Sequence, residues 1–378
     1  DGDRHKLEED YERLKAEVDS YFSKSTEDGA SVLKDLNEIL TGHFLREGET
    51  RQANIQLTGS ELPEILRQLD LVLETNKSGL GSLNLLCIAA ELLLYKEHQH
   101  HGLKLTLIEE LEAHLHPQYQ LSLINYIKEQ TGMGQFILTT HSTVLGSTIP
   151  LDKLIVVKDN NVFPMGSEHT KLSFSSYQFL ERFMEATRAN LFFAKGVIIV
   201  EGDAENLLIP TIAEIIGKPL HRYGVSIVNV GSTAFKRYAD IFKRKDGSDF
   251  GVPVSIISDL DVRALEYYKA KDEDFPSGIA DASDLEKARA AKKKEIEDAN
   301  NEGEIHIYLP NQWTLEYEIA CSKLQKYLFC AVYVAKREDN KKFRYEKALL
   351  EADKKWAELY GGETIEDDKQ RAYDIFSE

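Results

Sequence analysis

Cysteine is scarce in this chain. Cys87, Cys321 and Cys330 are the only three among 378 residues. An odd count without close spacing excludes both a disulfide framework and a cysteine-built zinc site, and it fits a reducing, cytoplasmic location. Cys87 sits in the apolar run LLCIAAELLL and is expected to be a buried core thiol. No stretch approaches the roughly 18 uninterrupted apolar residues of a membrane span. The opening residues, Asp1 to Glu17, are too charged for a signal peptide. The chain starts without Met in what reads as the middle of a helix, so a fragment of a longer protein is expected. A basic excess is also missing, since the net charge is -18. That disfavours binding nucleic acid by bulk charge, although carboxylates gathered around divalent cations can bridge to phosphate. Local basic stretches remain at Lys243 to Lys245 and from Lys336 to Lys347. Finally, no G-x-x-x-x-G-K-[ST] loop is present. The nearest text, IIGKPL, has Pro219 after Lys218 and no glycine five residues before Gly217, so this sequence cannot cradle ATP phosphates by itself.

What is present is the composition of a globular protein, 42% hydrophobic and 29% charged, long enough for two domains and a small third unit. Residues 1–48 show apolar positions every three or four residues (Leu7, Tyr11, Leu14, Val18, Tyr21–Phe22), which predicts a helical arm suited to dimerisation or a solvated amphipathic helix. From 49 to 165 short apolar runs (54–57, LDLVLE, 105–108, 136–138, 154–157) alternate with helical text (ELPEILRQL, LNLLCIAAELLLY). A linker is expected at 166–194. A second α/β series occupies 195–320, with strands at 197–200, 225–228, 254–257 and 305–309 and a charged helical insertion at about 270–303. Residues 321–378 read as a helical C-terminal segment. Strands alternating with helices predict α/β architecture with parallel sheets. No fixed-period repeat is present.

Two constellations carry chemistry. In the first, LTLIEELEAHLHP places Glu109 and Glu110 at the carboxyl end of an apolar strand, where open α/β sheets bind ligands. One acid can hold Mg²⁺ through water, and the next can orient the water attacking a γ-phosphate. FILTTHS repeats the geometry and puts His141 at a strand tip. Upstream, NKSGLGSLN sets Ser78, Gly79, Gly81 and Ser82 before a helix N-terminus, an arrangement suited to anions. In order and spacing these pieces resemble the ABC-type ATPases of the RecF, SMC and OLD group. The resemblance makes SGLGS the signature loop, Glu109 the metal-holding acid, Glu110 the catalytic acid and His141 the switch. With no Walker A loop, it implies that the N-terminal half of the ATPase was removed or lies on another chain.

In the second constellation, VIIVEGDAENLLIP sets Glu201 directly after a strand. Gly202 follows for the turn, and Glu205 comes four residues on, in the opening turn of a helix. VSIISDLD then ends a later strand with Asp259 and Asp261, whose D-x-D spacing points both carboxylates to one side. Neighbouring parallel strands bring such ends together, and acids crowded this way need hard cations such as Mg²⁺ or Mn²⁺. The pattern resembles the Toprim domain, and an ABC-type half followed directly by Toprim resembles the OLD family of ATP-linked nucleases over about residues 50–320. The resemblance also implies a two-metal site. Thr314 and Glu316 in NQWTLEYEIA match the family's later [ST]-x-E element, with Glu318 two residues off on another helix face. The family places a basic residue, usually Lys, nearer the C-terminus, and Lys354, Lys355 and Lys369 are available here.

The expected activity is therefore metal-dependent endonucleolytic cleavage of DNA, coupled in the full-length protein to an ATPase that works as a homodimer. The resemblance adds a role in defence against phage. A different class of function stays open: an ATPase-linked clamp or regulatory module that binds DNA without cutting. A topoisomerase or primase lacks its companion domains in this sequence. The run His98, His100, His101 reads as an exposed polar turn.

Overall fold

In the computed structural model, residues 6–23, 28–45, 48–49, 51–56, 70–73, 80–97, 104–130, 134–231, 234–337, 343–361 and 368–377 are described. Ser78, Gly79, the ELPEILRQL segment and the run from His98 to His101 lie outside them. The chain divides into two compact units, 1–150 with 184–189, and 151–183 with 190–378.

The first unit begins with helices α1 (Lys6–Ser23) and α2 (Asp28–Ile39), the latter running into a π-helical turn, Leu40–Phe44. Strands β1 (Ala53–Gln56) and β2 (Asp70–Leu73) pair antiparallel. Helix α3 (Leu80–Glu97) leads to β3 (Leu105–Ile108), α4 (Pro117–Glu129), β4 (Gln135–Leu138) and α5 (Thr143–Thr148). Strands β3 and β4 pair in parallel, with Ile108 opposite Leu138, so both strands end level. Their alternation places Ile108, Phe136 and Leu138 against the core, while Leu105, Leu107 and Ile137 on the other face stay exposed.

Cys87 is exposed, which overturns the expectation of a buried thiol. Helix α3 is apolar around nearly its whole circumference, so periodicity could not indicate which side faces the core. The packing buries Leu85, Leu86, Ile88, Ala89, Leu92 and Leu93 and leaves Leu83, Cys87 and Glu91 on the outer stripe, spaced four residues apart as one helix face requires.

The second unit opens with an antiparallel hairpin, β5 (Ile155–Lys158) and β6 (Asn161–Pro164), so the 154–157 run joins a hairpin and not a parallel sheet. Asp159 and Asn160 form the two-residue turn with φ of 48° and 61°, the left-handed pair that a tight hairpin needs and that Asp and Asn tolerate. Helix α6 (Phe174–Phe183) follows. Then comes a four-stranded, wholly parallel sheet in the order β10-β9-β7-β8, from β7 (Gly196–Val200), β8 (Val225–Asn229), β9 (Val254–Ile257) and β10 (Ile305–Tyr308). Its helices are α7 (Asp203–Ile215), α8 (Leu220–Tyr223), α9 (Phe235–Ala239), α10 (Leu265–Lys271) and α11 (Ala282–Asn300). The last of these is the charged insertion. Buried Val197, Ile199, Val200, Val254, Ile256, Ile305 and Ile307 form the sheet's core, the continuous apolar character expected of covered parallel strands.

Helices α12 (Leu315–Ala320), α13 (Gln325–Ala335), α14 (Tyr345–Tyr360) and α15 (Asp368–Ser377) complete the chain. An aromatic cluster joins α10, α12 and α15. Tyr317 is fully buried there beside Trp313, Tyr267, Tyr373 and Phe376.

Candidate metal centre

The register of the parallel sheet decides the geometry. Val200 lies opposite Ile257, and Ile257 opposite Tyr308, so the carboxyl ends of β7, β9 and β10 are level. Glu201 therefore emerges beside Ser258, Asp259 and the 309–314 loop. Ser258 is buried, and its hydroxyl donates to Glu201 Oε1. The Ser258 amide donates to the Tyr308 carbonyl (3.3 Å) and the Leu260 amide to the Trp313 carbonyl (3.1 Å), which ties the D-x-D turn to the loop before α12. Asp261 takes φ 54°, a left-handed conformation that Asp adopts more readily than most residues.

Glu205 lies in the first turn of α7 and is buried, at 7% exposure. Its Oε2 has no hydrogen-bond partner. Gly202 makes room for it: a Cβ there would stand 3.1 Å from that oxygen. A buried carboxylate oxygen without a donor is costly, and a bound cation would relieve that cost. From the other side, the Leu315 amide at the start of α12 donates to Asp259 Oδ1 (2.9 Å).

The acids also feel one another. Burial raises the pKa of Glu201, the Ser258 hydrogen bond opposes this, and the charges of Asp261 and Glu205 add to the rise. Burial pushes Asp259 from an ordinary 3.8 up to about 6. The Leu315 amide works against that shift, while Glu316, Glu205 and Asp261 reinforce it. The structure thus brings Glu201, Glu205, Asp259, Asp261 and Glu316 within electrostatic reach of a common region. As the side chains stand, no three described His, Cys, Asp or Glu residues are arranged to hold a single ion. The donor set is all oxygen, which suits Mg²⁺ or Mn²⁺.

The two acids of α12 differ. Glu318 accepts from the Asn311 and Gln312 amides (3.1 Å each) and from Asn311 Nδ2 (3.1 Å), so it belongs to the loop. Glu316 makes no such contact and acts on Asp259. The Thr314 hydroxyl caps α12 by accepting from the Tyr317 amide (3.3 Å). Of the candidate lysines, Lys369 lies near Cys321, and Lys354 and Lys355 lie on α14. The charges acting on Glu201 and Asp259 are all acidic.

The basic stretch at Lys243 to Lys245 is committed internally. Lys243 pairs with Asp240 (2.9 Å) and Glu302 (3.5 Å), Arg244 donates to the Pro164 carbonyl (2.6 Å), and Lys245 donates to the Ser167 carbonyl (2.7 Å).

In the first unit, Glu109 and Glu110 stand exposed at the end of β3, and Glu110 takes φ 46°. A non-glycine residue there marks backbone held by its surroundings. Those surroundings are the end of β4: the Glu110 amide donates to the Thr139 hydroxyl (3.0 Å), and the Thr139 amide donates to the Ile108 carbonyl (2.9 Å). Glu112 receives the Thr140 hydroxyl (2.6 Å) and the His141 amide, so it anchors the loop bearing His141. Sequence reasoning passed over both Glu112 and Ser258. The one available signal was a polar side chain within three residues of an acid already singled out. Gly81, at the head of α3, packs on the same turn: a Cβ there would lie 2.2 Å from the His114 carbonyl oxygen. Asn84 donates to the Ala113 carbonyl (2.8 Å) and Arg51 to the Ser82 hydroxyl (3.1 Å).

A strand-end acidic turn tied to the loop that bears His141, followed by a parallel sheet with carboxylates at its carboxyl edge, fits an ATPase portion followed by a Toprim-type centre. The comparisons agree. Residues 3–145 match the AAA ATPase domain model, and residues 192–261 match that of the Overcoming lysogenization defect protein-like TOPRIM domain. An AAA ATPase segment followed by an OLD-like TOPRIM segment supports placement in the OLD family. Endonuclease GajA of Bacillus cereus (strain HuB5-5) is 26% identical over 242 residues, covering 56% of this chain and 33% of that protein. The Retron Ec83 probable ATPase of Escherichia coli is 25% identical over 169 residues, covering 42% and 30%. The chain thus spans about a third of the length of the curated relatives it matches. A solved C-terminal region of the Xanthomonas campestris pv. campestris OLD protein aligns at 22% identity and a TM-score of 0.26, covering 50% of this chain and 86% of that one. Among the described residues, no helix is long and apolar enough to cross a membrane.

Proposed function

We propose that this chain carries the nuclease centre of an ATP-linked DNA endonuclease. The observation that carries the reading is the convergence of Glu201, Glu205, Asp259, Asp261 and Glu316 on one sheet edge, with a buried, unpartnered oxygen on Glu205. The GajA endonucleases support it as relatives. Two divalent cations, Mg²⁺ or Mn²⁺, would supply an activated water and stabilise the leaving oxygen of a phosphodiester. Glu201 and the Asp259–Asp261 pair would hold the nucleophile side, and Glu205 with Glu316 the leaving-group side. Thr314 contributes by ordering the turn that carries Glu316. Ser258 and the Leu315 amide fix the rotamers of Glu201 and Asp259, so the ligands meet a cation already oriented.

In the ATPase portion, Glu109 is assigned to metal, Glu110 to the hydrolytic water and His141 to the γ-phosphate. Gly81, with Ser78 and Gly79 of the same SGLGS text, is assigned to the signature loop that would complete the ATP site of another subunit. That assignment requires self-association and a phosphate-cradling loop from outside this sequence.

The test is nicking of supercoiled plasmid with Mg²⁺, Mn²⁺, Ca²⁺ and EDTA in parallel, without ATP. Cleavage with Mg²⁺ or Mn²⁺ that EDTA abolishes, and that is lost in Glu205→Ala and Asp259→Ala, is the expected result. Folded protein that cuts with none of the metals would favour the clamp reading, in which this centre binds metal and DNA without hydrolysis.

A further inference from the structure

The charged insertion is not simply a solvated helix. Helix α11 buries Leu285 and Arg289, and it grips the loop that precedes Thr314 and Glu316. Lys293 donates to the Leu309 carbonyl (3.2 Å) and to Asn311 Oδ1 (2.8 Å). Beside this contact, α10, α11, Gln312 and Lys369 line an open cleft of about 530 Å³, large enough for a phosphate with its sugar.

Arg289 lines that cavity at 7% exposure, yet its guanidinium is poorly satisfied. Its two contacts to neutral oxygens, Gln312 Oε1 and the Arg263 carbonyl, are both long at 3.4 Å. Its nearest carboxylate, on exposed Glu286, is 3.9 Å away, and its Nε has no partner. Glu266 also lines the cavity, but its carboxylate accepts the Tyr317 hydroxyl (3.0 Å). A buried guanidinium offers five donors in a planar fork, and leaving that charge without a close anion is expensive. The cavity lining carries three cations, Lys287, Arg289 and Lys369, against two carboxylates, Glu266 and Glu286, and Lys287 also pairs with Asp284 (3.1 Å). Lys287, Arg289, Lys292, Lys293 and Lys294 fall within residues 287–294, which contain no acid. Lys287 and Lys369 stand at the cavity wall.

We propose that this cavity is a phosphate-binding subsite that seats a backbone phosphate of the nucleic-acid strand, with Arg289 as its fork and Lys287 and Lys369 at its rim. The assignment of the strand rests on the nuclease reading. Gln312 links the two sites, because it belongs to the same short loop that leads into Thr314 and Glu316. A phosphate drawing Arg289 would therefore position the strand relative to the carboxylates without touching a base, which is how backbone contacts set register.

The experiment measures binding of a short labelled DNA by fluorescence anisotropy across a salt series, with Ca²⁺ replacing Mg²⁺ and Mn²⁺. Wild type is compared with Arg289→Gln, Arg289→Lys and the double variant Lys287→Gln/Lys369→Gln, whose two positions are exposed and should not disturb folding. Each loss should weaken binding about five- to tenfold, and the double variant should lower the slope of log affinity against log salt by about 1. Arg289→Lys should fall between wild type and Arg289→Gln, because it keeps the charge but loses the fork. Unchanged affinity and slope in the folded double variant would overturn the proposal. Inorganic phosphate, followed by ³¹P NMR line broadening, separates the sources. Phosphate binding lost in Arg289→Gln while DNA affinity stays intact would make this a free-anion site and refute the strand assignment. Plasmid nicking is read in parallel. Nicking with unaltered DNA binding in the variants would sink this inference and leave the nuclease reading standing, while weakened binding without nicking in any metal would do the reverse.

Discussion

Asp259→Asn should make the metal-free protein more stable at neutral pH while weakening its hold on divalent cations. Asp259 is surrounded by Glu205, Asp261 and Glu316, and burial carries its pKa from 3.8 to about 6. The folded state therefore binds this proton more tightly than the unfolded chain does. The stabilisation is fully present below about pH 3.8 and is lost as pH rises through 6. The difference corresponds to about 3 kcal/mol at full value. The side chain is only partly removed from water, so about 1–2 kcal/mol is the realistic penalty at pH 7.5. Asparagine has the same shape, keeps an oxygen for the Leu315 amide and carries no charge. In EDTA at pH 7.5 the variant should melt about 2–8 °C higher than wild type. The gap should close by pH 4, where wild-type Asp259 is largely protonated. Adding Mn²⁺ should reverse the order, because binding to the folded state stabilises by mass action and wild type retains the full ligand set. Differential scanning fluorimetry over pH 4–8, with and without Mn²⁺, is sufficient. A variant that melts lower than wild type in EDTA at pH 7.5, or a gap independent of pH, would refute the argument that these acids repel one another around a cation site.

Glu205→Gln should lower Mn²⁺ affinity, measured by calorimetry, by more than the roughly 10–100-fold that loss of an outer-shell partner costs. It should leave the metal-free melt no lower than wild type, and unchanged affinity would remove Glu205 from the site. Tyr317→Phe deprives buried Glu266 of its hydroxyl donor. The expected cost is about 1–3 kcal/mol in urea unfolding of the Toprim unit, so an unchanged midpoint would show that Glu266 is satisfied by other means. Gly81→Ala puts a methyl 2.2 Å from the His114 carbonyl oxygen and should destabilise the ATPase unit by about 1–3 kcal/mol. A neutral result would mean that the turn relaxes freely.

Much of the candidate site is local text, and that is why it could be read. Apolar strands punctuated by acids, as in VIIVEGD, VSIISDLD and LTLIEE, specify both the parallel strands and the end at which carboxylates collect, because the pleat and the connection rules leave little choice. The β5–β6 hairpin was harder to see: its first strand resembled the parallel ones, and its partner NVFP carries little β signal. Cys87 came out exposed because a helix apolar on every side has no face that periodicity can single out. The basic run at Lys243 to Lys245 looked available but is held by Asp240, Glu302 and two carbonyls.

The sequence by itself therefore determined the α/β class, the order of the parallel strands in the second series and which acids stand at strand ends. Those properties follow from residue type and short-range spacing. Only the tertiary structure decided that Ser258 and the Leu315 amide orient Glu201 and Asp259, that Glu112 holds the His141 loop, and that Glu318 serves the loop while Glu316 acts on Asp259. It also turned Arg289, one charge among many in the insertion, into a buried guanidinium at a cavity wall. These partners lie up to 57 residues apart. Hydrogen bonding and desolvation depend on distances of a few ångströms, which chain spacing does not encode until the sheet register brings the strand ends together.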